Sequence, residues 1–395
     1  MPSLKGRTPD ARRGGAIMSV NHRDGGLLGP WWWTIDRYTL TAIGLITCIG
    51  LVLIMAASPA VATRIDLSPH HFVNRQVAFL LMGGTVILIF SMLPVVVIRR
   101  LSVFCFLGCI LMLIFVELFG APVKGAQRWI HLPGFTLQPS EFVKPFLAVM
   151  VAWALARKHS NDKFPGYSIA MAMWGIVVVL LLSQPDFGMT IAVSTIFGAQ
   201  LFVAGLPWLW IAMAVVLAVS GAVGAYVWLP HVAQRINTFL DPAAGDNYQT
   251  AKSLEAIRNG GVFGMGPGEG VVKQILPDSH TDFIFAVAGE ELGTLVCIFI
   301  VLIFVFIIVR SFVRVFNESD LFVIYATTGL LVQFGVQAFV NMGVALSLLP
   351  NTGMTLPFVS YGGSSTLAIS IAMGMILAFT RRRYGNVIAR QGAVA

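Results

Sequence analysis

Long apolar runs alternate with short polar segments along most of this chain. A bilayer-spanning helix needs about 20 mainly apolar residues. Ten runs approach or reach that length: Tyr38–Ala57, Val77–Val95, Leu101–Leu118, Phe142–Leu155, Ile169–Leu182, Met189–Ala204, Trp208–Leu229, Phe283–Ile308, Leu321–Leu348 and Gly362–Phe379. The fourth to sixth are short. The pattern predicts an all-α polytopic membrane protein of ten transmembrane helices, with a large extracytoplasmic loop over residues 230–281 between the seventh and eighth. The membrane domain covers 38–380, flanked by a basic tail (1–37) and a C-terminal tail (381–395). The segment before Pro30 carries Lys5, Arg7, Arg12, Arg13 and Arg23 but no apolar stretch, so it reads as a disordered tail and not as a cleaved signal peptide. Trp31, Trp32 and Trp33 just before the first run predict an interfacial aromatic anchor.

Composition agrees with this reading. Of 395 residues, 57% are hydrophobic and only 11% charged, against about 25% charged in soluble domains. The net charge of +8 sits at the ends of spans, which argues for the positive-inside rule and against nucleic-acid binding. With the N-terminus inside, the inner segments hold most of the 26 Lys and Arg residues, including Arg99, Arg100, Arg157, Lys158, Lys163, Arg310, Arg314 and Arg381–Arg383. Both termini are therefore expected in the cytoplasm. Cys48, Cys105, Cys109 and Cys297 lie in apolar runs without metal-ligand spacing, which predicts core or lipid-facing thiols. His131, His231 and His280 form no zinc pattern.

The unusual chemistry falls in the outer loops. Three helices are expected to enter from outside with acid near the first turn: Ser140 and Glu141 after Pro139, Asp186 after Pro185, and Asp282 after Thr281. Each alone is an ordinary helix start, since caps and the helix dipole favour these residues. Together, on one face of the membrane, they point to a polar groove, because ionisable groups in spans face a bundle interior or a wet cavity. Lys144 follows Glu141 by three residues on the same helical face. Glu290 follows Asp282 by eight, about 80° and roughly 12 Å along a helix, so both are expected to line one cavity, with Glu291 turned away toward another helix. The glycine-rich stretch Gly260–Gly270 lacks the ending of a phosphate-binding loop and reads as a mobile flap. Lys124, Arg128, Lys144 and Lys273 are positioned to meet an anionic, lipid-linked substrate such as a diphosphate. A diphosphate leaves readily once its charge is neutralised, so one carboxylate suffices as base. A divalent cation, magnesium or manganese, fits such chemistry, although no ligand set for one is evident.

At the level of motifs the chain resembles the SEDS family (shape, elongation, division and sporulation), the FtsW/RodA peptidoglycan polymerases. The resemblance rests on Lys124–Ile130, Gln138–Lys144, Gln184–Gly188, Arg258–Gly264, Leu276–Phe285 and Leu356–Ser364, and covers the chain from the first span onward. Gly353–Pro357 and the Asp241-Pro242 to Tyr248-Gln249 loop are closer to the FtsW branch, and the basic, Trp-rich start resembles its alphaproteobacterial members. The resemblance implies polymerisation of lipid II into β-1,4 glycan strands at the periplasmic face of the inner membrane, during septal wall synthesis in cell division, with a class B penicillin-binding protein as transpeptidase partner among other divisome proteins. Asp282 stands at the position of the family's essential aspartate. Lys124, Arg128, Gln138, Ser140, Glu141, Lys144, Asp186, Glu290, Ser360 and Tyr361 would bind or orient the substrate. Three other functions compete. A lipid II flippase needs polar groups along the whole path, an elongation-type (RodA-like) polymerase shares the chemistry, and a non-catalytic scaffold needs no buried Lys144, Asp186 or Glu290.

Overall fold

The computed structural model describes residues 28–120, 127–132, 135–228, 233–234, 237, 248–316 and 318–381. The ordered elements are α1 (Leu28–Thr34), α2 (Arg37–Arg64), α3 (His71–Met92), α4 (Val95–Phe119), β1 (Ile130–Leu132), β2 (Phe135–Leu137), α5 (Pro139–Ser160), α6 (Gly166–Ser183), α7 (Phe187–Val203), α8 (Trp208–Trp228), α9 (Tyr248–Gly260), a 3-10 turn at Val272–Gln274, α10 (Ile284–Val315), α11 (Leu321–Ala345) and α12 (Gly363–Phe379). A helix underlies each of the ten expected spans. Seven helices, α2 to α6 with α10 and α11, are long and apolar enough to cross a bilayer, and the chain is a multi-pass membrane protein. The helices α7 and α12 have 17 residues each, about 26 Å against a hydrocarbon core of about 30 Å.

Burial separates the centre from the rim. Of the apolar window of α5, 89% is buried, against 22% for α6. The helices α11, α12, α4, α6 and α7 all pack around α5. A helix buried on every side has no lipid-facing stripe, so its polar residues must find partners inside the protein.

At the end of the bundle away from Asp282, residues Leu28–Thr34 of the expected tail form α1. Trp31 is buried, with its indole N–H on Ser91 Oγ at 2.9 Å, and Trp32 and Trp33 stay exposed. The anchor is thus one core residue and two surface rings. Asp36 caps α2 and is fully buried, where Arg310 (3.0 Å) and Arg314 (2.9 Å) neutralise it. Arg381 donates to Thr34 Oγ1, which ties α1 to the end of α12.

The long run after Asp282 is two helices, not one. Gly293 adopts φ +83, ψ 174 inside α10. The break frees the carbonyls of Glu290 and Glu291 and the N–H groups of Thr294 and Leu295. The glycine-rich loop satisfies all four: Met265 and Gly266 donate to Glu290 O (2.9 Å) and Glu291 O (3.0 Å), and Thr294 and Leu295 donate to Gly261 O (3.0 Å) and Val262 O (3.3 Å). Interrupted helices survive at membrane depth only when their backbone is satisfied in this way. The expected free flap is therefore a loop stitched into a helix break. A Cβ at Gly293 would collide with the backbone of Val262, Phe263 and Gly264. Gly293→Ala should cost about 1–3 kcal/mol from the left-handed backbone alone, with the clash in addition, and a lowered thermal midpoint of the detergent-purified protein checks this.

Candidate active site

The turn Leu276–Phe283 places Asp282 ahead of α10, not inside its first helical turn. Asp278, at φ +53, turns the chain so that its carbonyl accepts from the N–H groups of Thr281 and Asp282, both at 3.1 Å, and of Phe283 at 3.4 Å. Asp282 is half-buried, and its main-chain carbonyl accepts from Asn341 Nδ2 on α11 at 2.9 Å. Because Asp282 is not helical, the expected 80° offset to Glu290 does not apply.

Glu141 and Lys144, one turn apart at the start of α5, form a buried ion pair of 2.9 Å. Pro139 at the first turn of α5 and Glu141 behind it start the helix as local rules require. Lys144 Nζ also donates to Gln337 Oε1 on α11 at 3.2 Å. Gln337 Nε2 in turn donates to Ser365 Oγ on α12 at 2.8 Å and to Thr355 O at 3.2 Å. Gln337 and Asn341 lie one turn apart on α11, so the same helix holds Lys144 and the main chain of Asp282. At 1% exposure, Lys144 works from inside the protein, not as an open anion receptor.

Arg128, half-buried, lies beside the entry to α7. Its Nε donates to Gln184 O at 3.2 Å, a further N–H donates to Pro185 O, and Nε stands 3.6 Å from Asp186 Oδ2. Asp186 caps α7 by accepting from Met189 N–H at 3.3 Å. Burial pushes the Asp186 carboxyl pKa up, and the charge of Arg128 and the Met189 bond offset that only in part.

On the other flank an aromatic group surrounds His280. Its ring lies 4.6 Å from that of Phe72 and 5.4 Å from that of Tyr361, and Tyr361 N–H donates to His280 O at 2.9 Å. Arg75 on α3 hydrogen-bonds the Tyr361 hydroxyl, whose pKa is raised chiefly by burial. Arg75 also heads a groove of about 410 Å³ between α3 and α12, lined otherwise by Ala78, Phe79, Met82, Phe135 and Leu367. The β1–β2 hairpin, paired Ile130 to Leu137, supplies Phe135 and is held to α12 by Ser364 Oγ on Thr136 O at 3.1 Å. Gln138 N–H donates back to Ser364 Oγ at 3.1 Å. Through His280 and Tyr361 the turn that carries Asp282 is thus joined to Arg75 and the apolar groove.

Burial lowers the His280 pKa from 6.5 to about 4. Between those values the unfolded chain holds the proton that the folded chain rejects. The stabilisation is complete above pH 6.5 and is lost as pH falls toward 4, on the order of 3 kcal/mol in all. Thermal unfolding of wild type and His280→Phe between pH 7 and 4.5 should show the steeper acid loss in wild type.

Several expected binding residues have other work. Glu290 is fully buried and accepts from the N–H groups of Val271 (2.9 Å), Val272 (2.8 Å) and Lys273 (3.4 Å). Glu291 binds Lys273 Nζ and Gly268 N–H, so it faces the glycine-rich loop, not another helix, and Lys273 is spent there. The acids Glu290 and Glu291 anchor the loop that leads into Asp282 and do not line the groove. Ser360 is buried, and its hydroxyl accepts from Leu356 N–H at 2.8 Å, closing the turn that contains Phe358 at φ +62. Ser140 is buried, and its hydroxyl has no hydrogen-bond partner among the described residues. Lys124, Asp241 and His231 lie outside the described residues. Among the described residues no group of three or more His, Cys, Asp or Glu side chains is placed to hold a metal ion, and the four cysteines are free thiols.

Sequence reasoning missed Arg75, Gln337, Asn341 and Ser365. A signal existed for two of them: Gln333, Gln337 and Asn341 recur every four residues in an apolar run, a polar stripe on one helical face.

Most of the chain has known relatives. Residues 36–385 match the family model for the cell cycle proteins FtsW, RodA and SpoVE. A Caulobacter vibrioides protein, named a probable peptidoglycan glycosyltransferase FtsW, is 44% identical over 91% of this chain and 92% of its own. A Geobacter metallireducens protein of the same name is 34% identical, covering 89% of this chain and 97% of its own. Among solved structures, a chain of a peptidoglycan synthase complex that coordinates polymerization and crosslinking superimposes with TM-score 0.74 at 26% identity, over 88% of this chain and 98% of that one. The rod shape determining protein RodA of Thermus thermophilus superimposes with TM-score 0.65 at 25% identity, over 89% and 99%. With a family match that starts at the α2 cap and runs past the end of α12, and relatives aligned over nearly their full length, the chain belongs to the FtsW/RodA/SpoVE cell cycle protein family.

Proposed function

We propose that this chain is a peptidoglycan glycosyltransferase of the inner membrane that polymerises lipid II into β-1,4 glycan strands for the division septum. The observation that carries the reading is that the turn bearing the half-buried Asp282 is joined through His280 and Tyr361 to Arg75, which lines an apolar groove, in a chain 44% identical to a protein named a probable peptidoglycan glycosyltransferase. The groove suits a polyprenyl chain, and Arg75 and Arg128 suit the diphosphate that follows it. Asp282 takes the proton of the acceptor GlcNAc 4-hydroxyl. That oxygen attacks the donor MurNAc anomeric carbon from the face opposite the diphosphate. The bond to undecaprenyl diphosphate breaks with its electron pair, and the centre inverts. The Glu141–Lys144 pair orients this site from behind. A divalent cation, if one takes part, would travel with the diphosphate.

The face bearing Asp282 is periplasmic and the termini are cytoplasmic. Arg99 and Arg100 at the start of α4, Arg157 and Lys158 at the end of α5, and Arg310 and Arg314 at the end of α10 all lie at the opposite end of the bundle, as the positive-inside rule requires. A class B penicillin-binding protein supplies the crosslinking activity. Purified chain plus that partner should convert labelled lipid II to polymer on a gel. Movement of lipid II across vesicles without polymer would replace this reading by a transporter.

A further inference from the structure

Asn341 uses both amide hydrogens on main-chain carbonyls, Asp282 O at 2.9 Å and Met354 O at 2.7 Å. It is 1% exposed, and its buried Oδ1 has no hydrogen-bond partner among the described residues. An unmet buried acceptor is unfavourable, so what keeps an amide here is its pair of donors, which serve two main-chain carbonyls. One turn earlier Gln337 holds Lys144 Nζ at 3.2 Å and donates to Ser365 Oγ at 2.8 Å. The turn bearing Asp282 is also closed through Asp278 O and joined to Tyr361 N–H through His280 O.

We propose that Asn341 is a positioning residue for glycan transfer. It holds the main chain of Asp282 at a fixed offset from the Glu141–Lys144 pair, with α11 as the common ruler and Gln337 as its second mark. The proposal rests on Asp282 being the base of the polymerase reading. A base displaced by about 1 Å loses up to about 100-fold in rate, and the 2.9 Å hydrogen bond from Asn341 to its own carbonyl restrains that displacement.

The test compares wild type, Asp282→Asn, Asn341→Asp, Asn341→Gln and Gln337→Met for polymerisation at a series of lipid II concentrations. Asn341→Asp keeps the shape and removes the paired donors. It should lower kcat by about 10- to 100-fold and leave KM within about threefold, the split expected for a change felt in the transition state. Asn341→Gln keeps the amide and should recover part of kcat. Gln337→Met, which releases Lys144, should lower kcat in the same way and stands in if Asn341→Asp does not fold. Wild-type kcat in folded Asn341→Asp overturns the proposal. So does a lower folded yield with kcat per folded molecule unchanged, the mark of a merely structural role. A wild type that makes no polymer overturns the polymerase reading, and the positioning role with it.

Discussion

Asp282→Asn should abolish glycan polymerisation while leaving the protein folded. A positioned general base contributes about 10²- to 10⁴-fold, so a loss of at least about 100-fold in kcat is expected. Asn is isosteric and keeps the main-chain contacts that place residue 282, its N–H on Asp278 O and its carbonyl under Asn341. Folding is therefore not at stake, and the partner should still co-purify. Labelled lipid II with purified complex reads the outcome, and near-normal polymer from Asp282→Asn would end the case for this base.

The second large effect concerns stability. Lys144→Met leaves the Glu141 carboxylate at 3% exposure with its 2.9 Å partner gone. Stranding one member of a buried pair costs about 3–5 kcal/mol, and Gln337 Oε1 loses its donor as well. The same reasoning predicts that the double change Glu141→Gln with Lys144→Met regains most of that loss, since two neutral groups of similar shape replace the pair. Thermal unfolding of the three proteins in one detergent measures this. Equal midpoints for wild type and Lys144→Met would contradict the buried geometry. Polymerisation by the double variant should stay depressed, because the orienting charge behind the site is absent even where the fold is restored.

The expected spans coincide with helices because the bilayer imposes a local rule: each crossing carries its own length of apolar residues, whatever its neighbours do. Capping is local too, and Asp186, Glu141 and Pro139 could be read as helix starts for that reason. The break at Gly293 had no such signature. A glycine within an apolar run looks like a continuous helix, and only the loop at 261–266, some 30 residues away, supplies the hydrogen bonds that make the interruption tolerable. Glu290 failed as a groove residue on the same ground, since its partners are backbone amides that every residue possesses.

By itself, the sequence determined that the chain lives in a membrane, where its helices lie, which end carries the basic residues, and through its motifs that Asp282 is the carboxylate to examine. Tertiary packing settles which polar groups are spent on the fold and which stay partly open to solvent. Glu290, Glu291, Lys273 and Ser360 are consumed by loops and turns, and Lys144 is enclosed against Glu141 and Gln337. Arg75, Arg128, Tyr361 and Asp282 keep partial exposure. Range explains the difference: apolar burial and caps act within a few residues, whereas a bond such as Lys144 to Gln337, 193 positions apart, leaves nothing along the chain to say which residue each will meet.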